Sequence, residues 1–171
     1  MSSLLVLPII LPFATAVIIL LVKSNVKGSS NIALSSAVLQ IIACGTIFYQ
    51  VHRNGIFASQ MGNWPAPFGI TLVADHLSAV MVVITAVINL AVVAYSRADI
   101  GASLVKRGYY PLMQTLVGGI CGSFLTGDLF NLYLWFEVIL IASFGLQLLG
   151  QDRNHRDGGV KSVVINLLST M

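Results

Sequence analysis

Residues 129–149 read LFNLYLWFEVILIASFGLQLL and contain one charged residue, Glu137. A bilayer core of about 30 Å needs about 20 apolar residues of helix, each rising 1.5 Å, and this stretch has that length. Backbone groups inside lipid must be hydrogen-bonded internally, so an open chain crosses the membrane as a helix. The stretch therefore predicts a transmembrane helix with one carboxyl group inside it.

The composition of the rest of the chain agrees with a membrane protein. Of its 171 residues, 57% are hydrophobic and 9% are charged, whereas soluble domains are about 25% charged. This shortage of polar surface excludes a water-soluble globule and a disordered chain. Cys44 and Cys121 lie in apolar runs, where free thiols behave as small hydrophobes, and two cysteines cannot build a disulfide framework.

Uncharged runs of membrane-spanning length recur along the chain. They predict an all-α, polytopic membrane helix bundle with five full transmembrane helices and the start of a sixth. No linker or low-complexity tract divides it, so residues 1–171 are expected to form a single membrane domain. The runs are residues 2–22, 28–51, 76–96, 108–127, 129–151, which Glu137 interrupts once, and the truncated 162–171.

The basic residues predict the orientation in the cell membrane. Eight of the nine Lys and Arg residues fall in the loops 23–27, 97–107 and 152–161, and only Arg53 falls on the opposite side. The positive-inside rule places those three loops in the cytoplasm and the N-terminus outside. Basic residues do not cluster beyond a pair, so no nucleic-acid partner is expected.

Glu137 is the outstanding candidate for chemistry. It lies about 3 Å from the centre of its predicted span, where an acidic side chain costs roughly 2.5–3.5 kcal/mol on translocon scales. Such acids are usually functional, and a carboxyl group there can relay protons. The alternative is a neutral, hydrogen-bonded Glu that holds helices together. Tyr133, one turn earlier, could support Glu137 or could lie at the membrane interface.

The turn before this span carries two further polar candidates. Asp128 is placed to cap the helix N-terminus, since carboxylates favour helix starts, although a role in admitting cations stays open. Asn131 lies one turn inside and could satisfy freed backbone groups. Asp75 is expected to cap the third span by the same logic.

Other polar and small residues predict helix packing. The fourth span has two small-residue stripes, Gly118/Gly122 and Gly119/Ser123/Gly127, which allow a neighbouring helix to approach closely. Gln40 and Asn89 are single polar residues in spans and are expected to form interhelical hydrogen bonds. The sequence contains no CxxC, HExxH, GxGxxG or P-loop pattern, so neither a cofactor nor a metal is expected, and catalysis by this chain alone is not expected.

Two stretches resemble a known family. Residues 62–75, GNWPAPFGITLVAD, and residues 126–137, TGDLFNLYLWFE, resemble the D subunit of Mrp-type multisubunit Na⁺/H⁺ antiporters. That protein belongs to a wider group of antiporter-like membrane subunits found in complex I and membrane-bound hydrogenases. The resemblance covers essentially the whole chain and implies an outward-facing N-terminus. It also implies that Glu137 pairs with a lysine on a later helix and that the pair gates proton movement.

The resemblance also implies partners and a larger protein. The expected partners are the other subunits of an antiporter complex, the lipid bilayer, protons and Na⁺. Subunits of this family have many more spans, built on inverted repeats. The chain is therefore expected to be an N-terminal fragment, the alternative being a short subunit completed by a separate chain. A proton-translocating subunit of a redox complex and an inactive packing subunit remain alternative functions.

Overall fold

A computed structural model describes residues 4–22, 25–61 and 69–149, together with Lys161 and Ile165. These residues form six α-helices and one antiparallel pair of strands. In chain order the elements are α1 (Leu7–Val22), α2 (Val26–Asn54), β1 (Phe57–Gln60), β2 (Thr71–Ala74), α3 (His76–Asp99), α4 (Ala102–Lys106), α5 (Tyr109–Leu125) and α6 (Leu129–Leu148).

The five long helices lie where the uncharged runs predicted them. The short helix α4 was not predicted, because it lies between Arg97 and Arg107 in a stretch that a search for uncharged runs passes over. Of the predicted start of a sixth span, residues 162–171, only Ile165 lies among the described residues. Ile165 is helical, as is Lys161 just before this run.

Three of the long helices, α2, α3 and α6, are long and apolar enough to cross a membrane. The chain is thus a multi-pass membrane protein. Helices α1 and α5 have 16 and 17 residues, which correspond to about 24 and 26 Å of helical rise. The predicted count of five full spans is therefore not confirmed.

Helix α5 packs against α1 and α6 through its glycines. A Cβ atom at Gly118 would lie 2.7 Å from the Phe13 ring of α1, and one at Gly119 would lie 2.9 Å from Ile139 of α6. The Trp135 indole of α6 occupies the equivalent space at Gly122. These contacts confirm that the small-residue stripes permit close helix approach.

A buried polar network joins α1, α2, α3 and α5. The Asn89 amide donates to the Gln40 side-chain carbonyl at 2.8 Å. The Gln40 amide in turn lies 3.4 Å from both the Pro8 carbonyl and the Cys121 sulfur. The interhelical hydrogen bonds expected of Gln40 and Asn89 are confirmed. Both side chains are buried, so these bonds take the place of hydrogen bonds to water.

A β-hairpin stands between α2 and α3. Phe57 lies opposite Ala74, and Gln60 lies opposite Thr71. The Gly127 N–H donates to the Thr71 carbonyl at 2.8 Å, so the hairpin also holds the turn that precedes α6. The hairpin was not predicted, because strands of four residues are too short to show a clear alternation of polar and apolar side chains.

Gly122→Ala is expected to destabilise the bundle, because the added methyl group would overlap the Trp135 ring. Overpacking of this kind typically costs about 1–3 kcal/mol. The control is Gly45→Ala, since a Cβ atom at Gly45 meets nothing within 4 Å. Unfolding followed by tryptophan fluorescence in detergent measures both variants. If the two variants were equally stable, the contact between position 122 and the Trp135 ring would not require a glycine.

Candidate functional site

The turn at residues 126–131 fixes the start of α6. The Asp128 carboxylate accepts a hydrogen bond from the Phe130 N–H at 2.9 Å, which confirms the predicted N-cap. The Asn131 amide donates to the Thr126 hydroxyl at 2.8 Å. The expectation that Asn131 satisfies backbone groups was therefore wrong. Its buried side chain is hydrogen-bonded to the Thr126 hydroxyl group, and the Asp128 carboxylate accepts the hydrogen bond from the free backbone N–H group.

Asp75 begins α3 in the same way. The Ser78 N–H donates to the Asp75 carboxylate at 2.7 Å, and the Asp75 N–H donates to the Ser78 hydroxyl at 2.9 Å. This reciprocal pair is a capping box. The hydrogen bond from the Ser78 backbone is the main reason that the pKa of Asp75 lies below its ordinary value of 3.8. The predicted cap of the third span is confirmed.

One face of α6 packs against α5. Trp135 and Ile139 contact the α5 glycines, and Leu112 of α5 lies against Gly145. Only two residues of α6, Asn131 and Ala142, are buried, whereas nine residues of α5 are. Helix α6 is therefore attached to the described part of the bundle along a single face.

Glu137 lies on the other side of α6. At 100° of rotation per residue it is about 160° from both Trp135 and Ile139. Glu137 is half-buried, and Tyr133, four residues earlier, lies on the same side of the helix in an exposed position. Phe130 and Ile141, on the same side of the helix, are 69% and 68% exposed. The described part of the chain thus leaves the Glu137 face largely uncovered.

The predicted site residues form two groups rather than one. Asp128 and Asn131 belong to the turn that starts α6, and both serve its local hydrogen bonding. Glu137 and Tyr133 lie further along the helix, with Glu137 about 14 Å of helical rise beyond Asp128. The structure therefore associates Tyr133, but not Asp128 or Asn131, with Glu137. No group of residues able to hold a metal ion occurs in the described part of the chain.

Two buried polar side chains were missed from the sequence. The Gln114 amide of α5 is fully buried, and neither its nitrogen nor its oxygen has a hydrogen-bond partner among the described residues. The Trp135 N–H of α6 is also buried without a partner there. Gln114 could have been found by the criterion applied to Gln40 and Asn89, because it too is a single polar residue within an uncharged run.

The fold is shared with membrane subunits of large complexes. A chain of the Mrp complex from Dietzia sp. DQ12-45-1b matches 98% of this chain with a TM-score of 0.87 and 26% sequence identity. A chain of the membrane-bound sulfane sulfur reductase, an archaeal respiratory membrane complex, matches 96% with a TM-score of 0.86 and 22% identity. The class defined by this fold is that of helical membrane subunits of large complexes.

Proteins that are similar in sequence have more specific names than these structures. The chain is 34% identical over 170 residues to the D subunit of the Na⁺/H⁺ antiporter of Bacillus subtilis, covering 99% of the chain. It is 38% identical over 180 residues to the D subunit of a probable K⁺/H⁺ antiporter of Rhizobium meliloti. No protein-family model matches. The resemblance to antiporter D subunits is confirmed along the whole chain, which spans about a third of the length of these relatives.

Asp75→Ala is expected to lower the free energy of unfolding at pH 7 by about 0.5–2 kcal/mol, because it removes the cap of α3. The pKa of Asp75 is lowered in the folded state, so this stabilisation is present above pH 3.8 and is lost as the pH falls through the folded-state pKa. Unfolding titrations at several pH values measure the gap between the variant and the parent protein.

The control is Asp99→Ala, which removes an exposed carboxylate from the last turn of the same helix. It should not destabilise α3, since negative charge is unfavourable at a helix C-terminus. A gap between the parent protein and Asp75→Ala that stays constant well below pH 3.8 would contradict a cap made by the ionised carboxylate.

Proposed function

We propose that this chain is part of a membrane subunit of a monovalent cation/proton antiporter complex, and that Glu137 is its proton-relay carboxylate. In this proposal the chain crosses the cell membrane five times, with its N-terminus outside, and assembles with the other subunits of the complex. The antiporter relatives and the fold shared with a chain of the Mrp complex support the assignment.

The observation that carries the relay role is the position of Glu137 on α6. The helix is apolar and long enough to span a membrane, and its midpoint lies between Val138 and Ile139. Glu137 is therefore about 2 Å from the middle of the helix. A carboxyl group at that depth is expensive unless it faces a polar partner or a water-filled cavity.

The orientation of Glu137 indicates where such a partner would come from. Helices α5 and α6 contain no Lys, Arg or His, and Glu137 faces away from α5. A basic side chain on a segment that covers this face would supply the missing charge. The curated relatives are about three times as long as this chain, so proteins of this kind have further sequence from which such a segment can come.

A relay then follows from elementary electrostatics. An apolar surface against this face of α6 disfavours a charged carboxylate. An approaching cationic side chain favours it, so in the proposed relay a proton leaves as the basic partner arrives and returns as the partner withdraws. Tyr133 lies one turn earlier on the same side of α6, and in the proposal its hydroxyl group orients the carboxyl group. Movement of the basic partner would thus alternate uptake and release.

The exchanged cation is proposed to be Na⁺. The relatives differ on this point, since the Bacillus subtilis protein is named for Na⁺ and the Rhizobium meliloti protein for K⁺. Both are monovalent cations. For either cation, the proposed activity is the exchange of a monovalent cation for protons.

A second candidate function is proton translocation in a redox complex. The fold is also that of a chain in an archaeal respiratory membrane complex. The composition of the purified complex separates the two candidates. Other antiporter subunits would accompany an antiporter component, whereas iron–sulfur subunits would accompany a redox component.

Glu137→Gln is expected to reduce cation/proton exchange at least about 100-fold while leaving the complex assembled, because the amide keeps the shape of the side chain but cannot carry a proton. Exchange is measured in everted membrane vesicles with a pH-sensitive dye. Assembly is checked by native electrophoresis.

The control is Asp75→Asn, which also converts a carboxylate to an amide but does so at an interfacial helix cap. It should keep exchange near the parent rate. Exchange that survives Glu137→Gln would overturn the relay role. Loss of assembly in Glu137→Gln would instead favour a carboxyl group that serves only helix packing.

A further inference from the structure

A cavity of about 380 Å³ opens beside the first turns of α2, bounded by α3, α4 and α5. Its inner part is formed by Ser30, Ser96 and Tyr110, all of which are buried. Lys27 and Arg97 line it from exposed positions. The cavity lies far from Glu137 in the fold, because these residues are at the end of the bundle where α2 and α5 begin and α3 ends.

The buried part of the cavity contains a polar group without a partner. The Ser30 side chain is only 6% exposed, and its hydroxyl oxygen makes no hydrogen bond to any described residue. The neighbouring Ser96 hydroxyl is already engaged, since it donates to the Val93 carbonyl at 2.9 Å and lies 3.4 Å from the Tyr110 hydroxyl. Ser30 therefore has a donor to offer to a molecule inside the cavity.

The rim of the cavity is cationic. Arg97 donates through one guanidinium nitrogen to the Asn31 side-chain carbonyl at 2.8 Å, which holds the guanidinium group at the rim. Lys27 lines the same cavity from the first turn of α2. An arginine and a lysine placed together on different helices favour an anion, and a guanidinium group matches the geometry of phosphate oxygens.

The N-terminus of α2 also favours an anion. Asn25 stands at the N-cap but makes no side-chain capping bond, and the first turn of α2 contains no acidic residue. Among the described residues, no side chain therefore caps the first N–H groups of the helix, which present the positive end of the helix dipole. Such an end binds phosphate readily.

We propose that this cavity binds a phosphate group, supplied by the headgroup of an anionic phospholipid. Lys27 and Arg97 contact the phosphate oxygens, and the Ser30 hydroxyl donates to one of them from inside. The cavity lies at the ends of α2 and α3, two helices of membrane-spanning length, and therefore at the depth of lipid headgroups. Basic pockets between helices at this level suit anionic headgroups. The proposal does not depend on the relay role of Glu137.

The test uses the full protein in its complex, reconstituted in phosphatidylcholine nanodiscs that contain a small fraction of phosphatidylglycerol. Native mass spectrometry counts the phosphatidylglycerol that remains bound after release. The double variant Lys27→Gln/Arg97→Gln should bind it about 10- to 30-fold more weakly, the factor expected from two basic residues near an anionic surface. Ser30→Ala, which leaves both charges in place, should weaken it about 2- to 10-fold.

The matched control is Arg53→Gln, which removes an exposed basic residue from the last turn of α2 at the opposite end of the helix. It should retain the lipid like the parent protein. Equal retention by the double variant and the parent, or an equal loss in Arg53→Gln, would overturn the proposal.

Competition with millimolar inorganic phosphate identifies the source of the group. If inorganic phosphate displaces phosphatidylglycerol from the parent protein but has no effect on residual binding to the double variant, the phosphate group alone is recognised. If phosphate fails to displace it while the double variant still loses it, the site requires the lipid headgroup with its chains. Both results support a phosphate site, and they assign different ligands to it.

Discussion

The close contact of α5 with α1 and α6 is the constraint on which the rest of the bundle depends. Helices in lipid gain little from hydrophobic burial against one another, so their association rests on van der Waals packing at short distance. Gly118 admits the Phe13 ring from one side, while Gly119 and Gly122 admit Ile139 and Trp135 from the other. Because Trp135 and Ile139 are held against α5, Glu137 must face the opposite way.

Polar contacts fix the positions that this packing alone would leave free. Gln40 joins α2 to the Pro8 carbonyl of α1, to Asn89 of α3 and to Cys121 of α5. At the start of α6, the hydrogen bond from the Gly127 N–H to the Thr71 carbonyl holds the turn against the hairpin. Helix α6 therefore has a fixed beginning and one fixed face, and its register places Glu137 near mid-helix.

The sequence alone was sufficient to predict features that depend only on residues close together along the chain. Charge-free length locates the long helices, and a carboxylate just before an apolar run identifies the caps at Asp75 and Asp128. The sequence was insufficient to predict contacts between side chains that are far apart along the chain. Nothing near Gln40 indicates that its amide meets Cys121, 81 residues away. The bond from Asn131 to Thr126 was missed for a different reason, because several local acceptors are equally close along the chain and only the turn geometry selects one.

The chemistry of Glu137 depends on what covers its face of α6. Lipid against that face would leave the carboxyl group without a polar partner, whereas a basic side chain there would pair with it. The proposed relay requires the carboxyl group to meet both conditions in turn, so the covering surface has to move or to change its charge. Because Glu137 lies on the side of α6 that faces away from α5, such a change requires no rearrangement of α5 and α6. In the proposed relay, the close glycine contact between α5 and α6 keeps Glu137 in place while its basic partner moves.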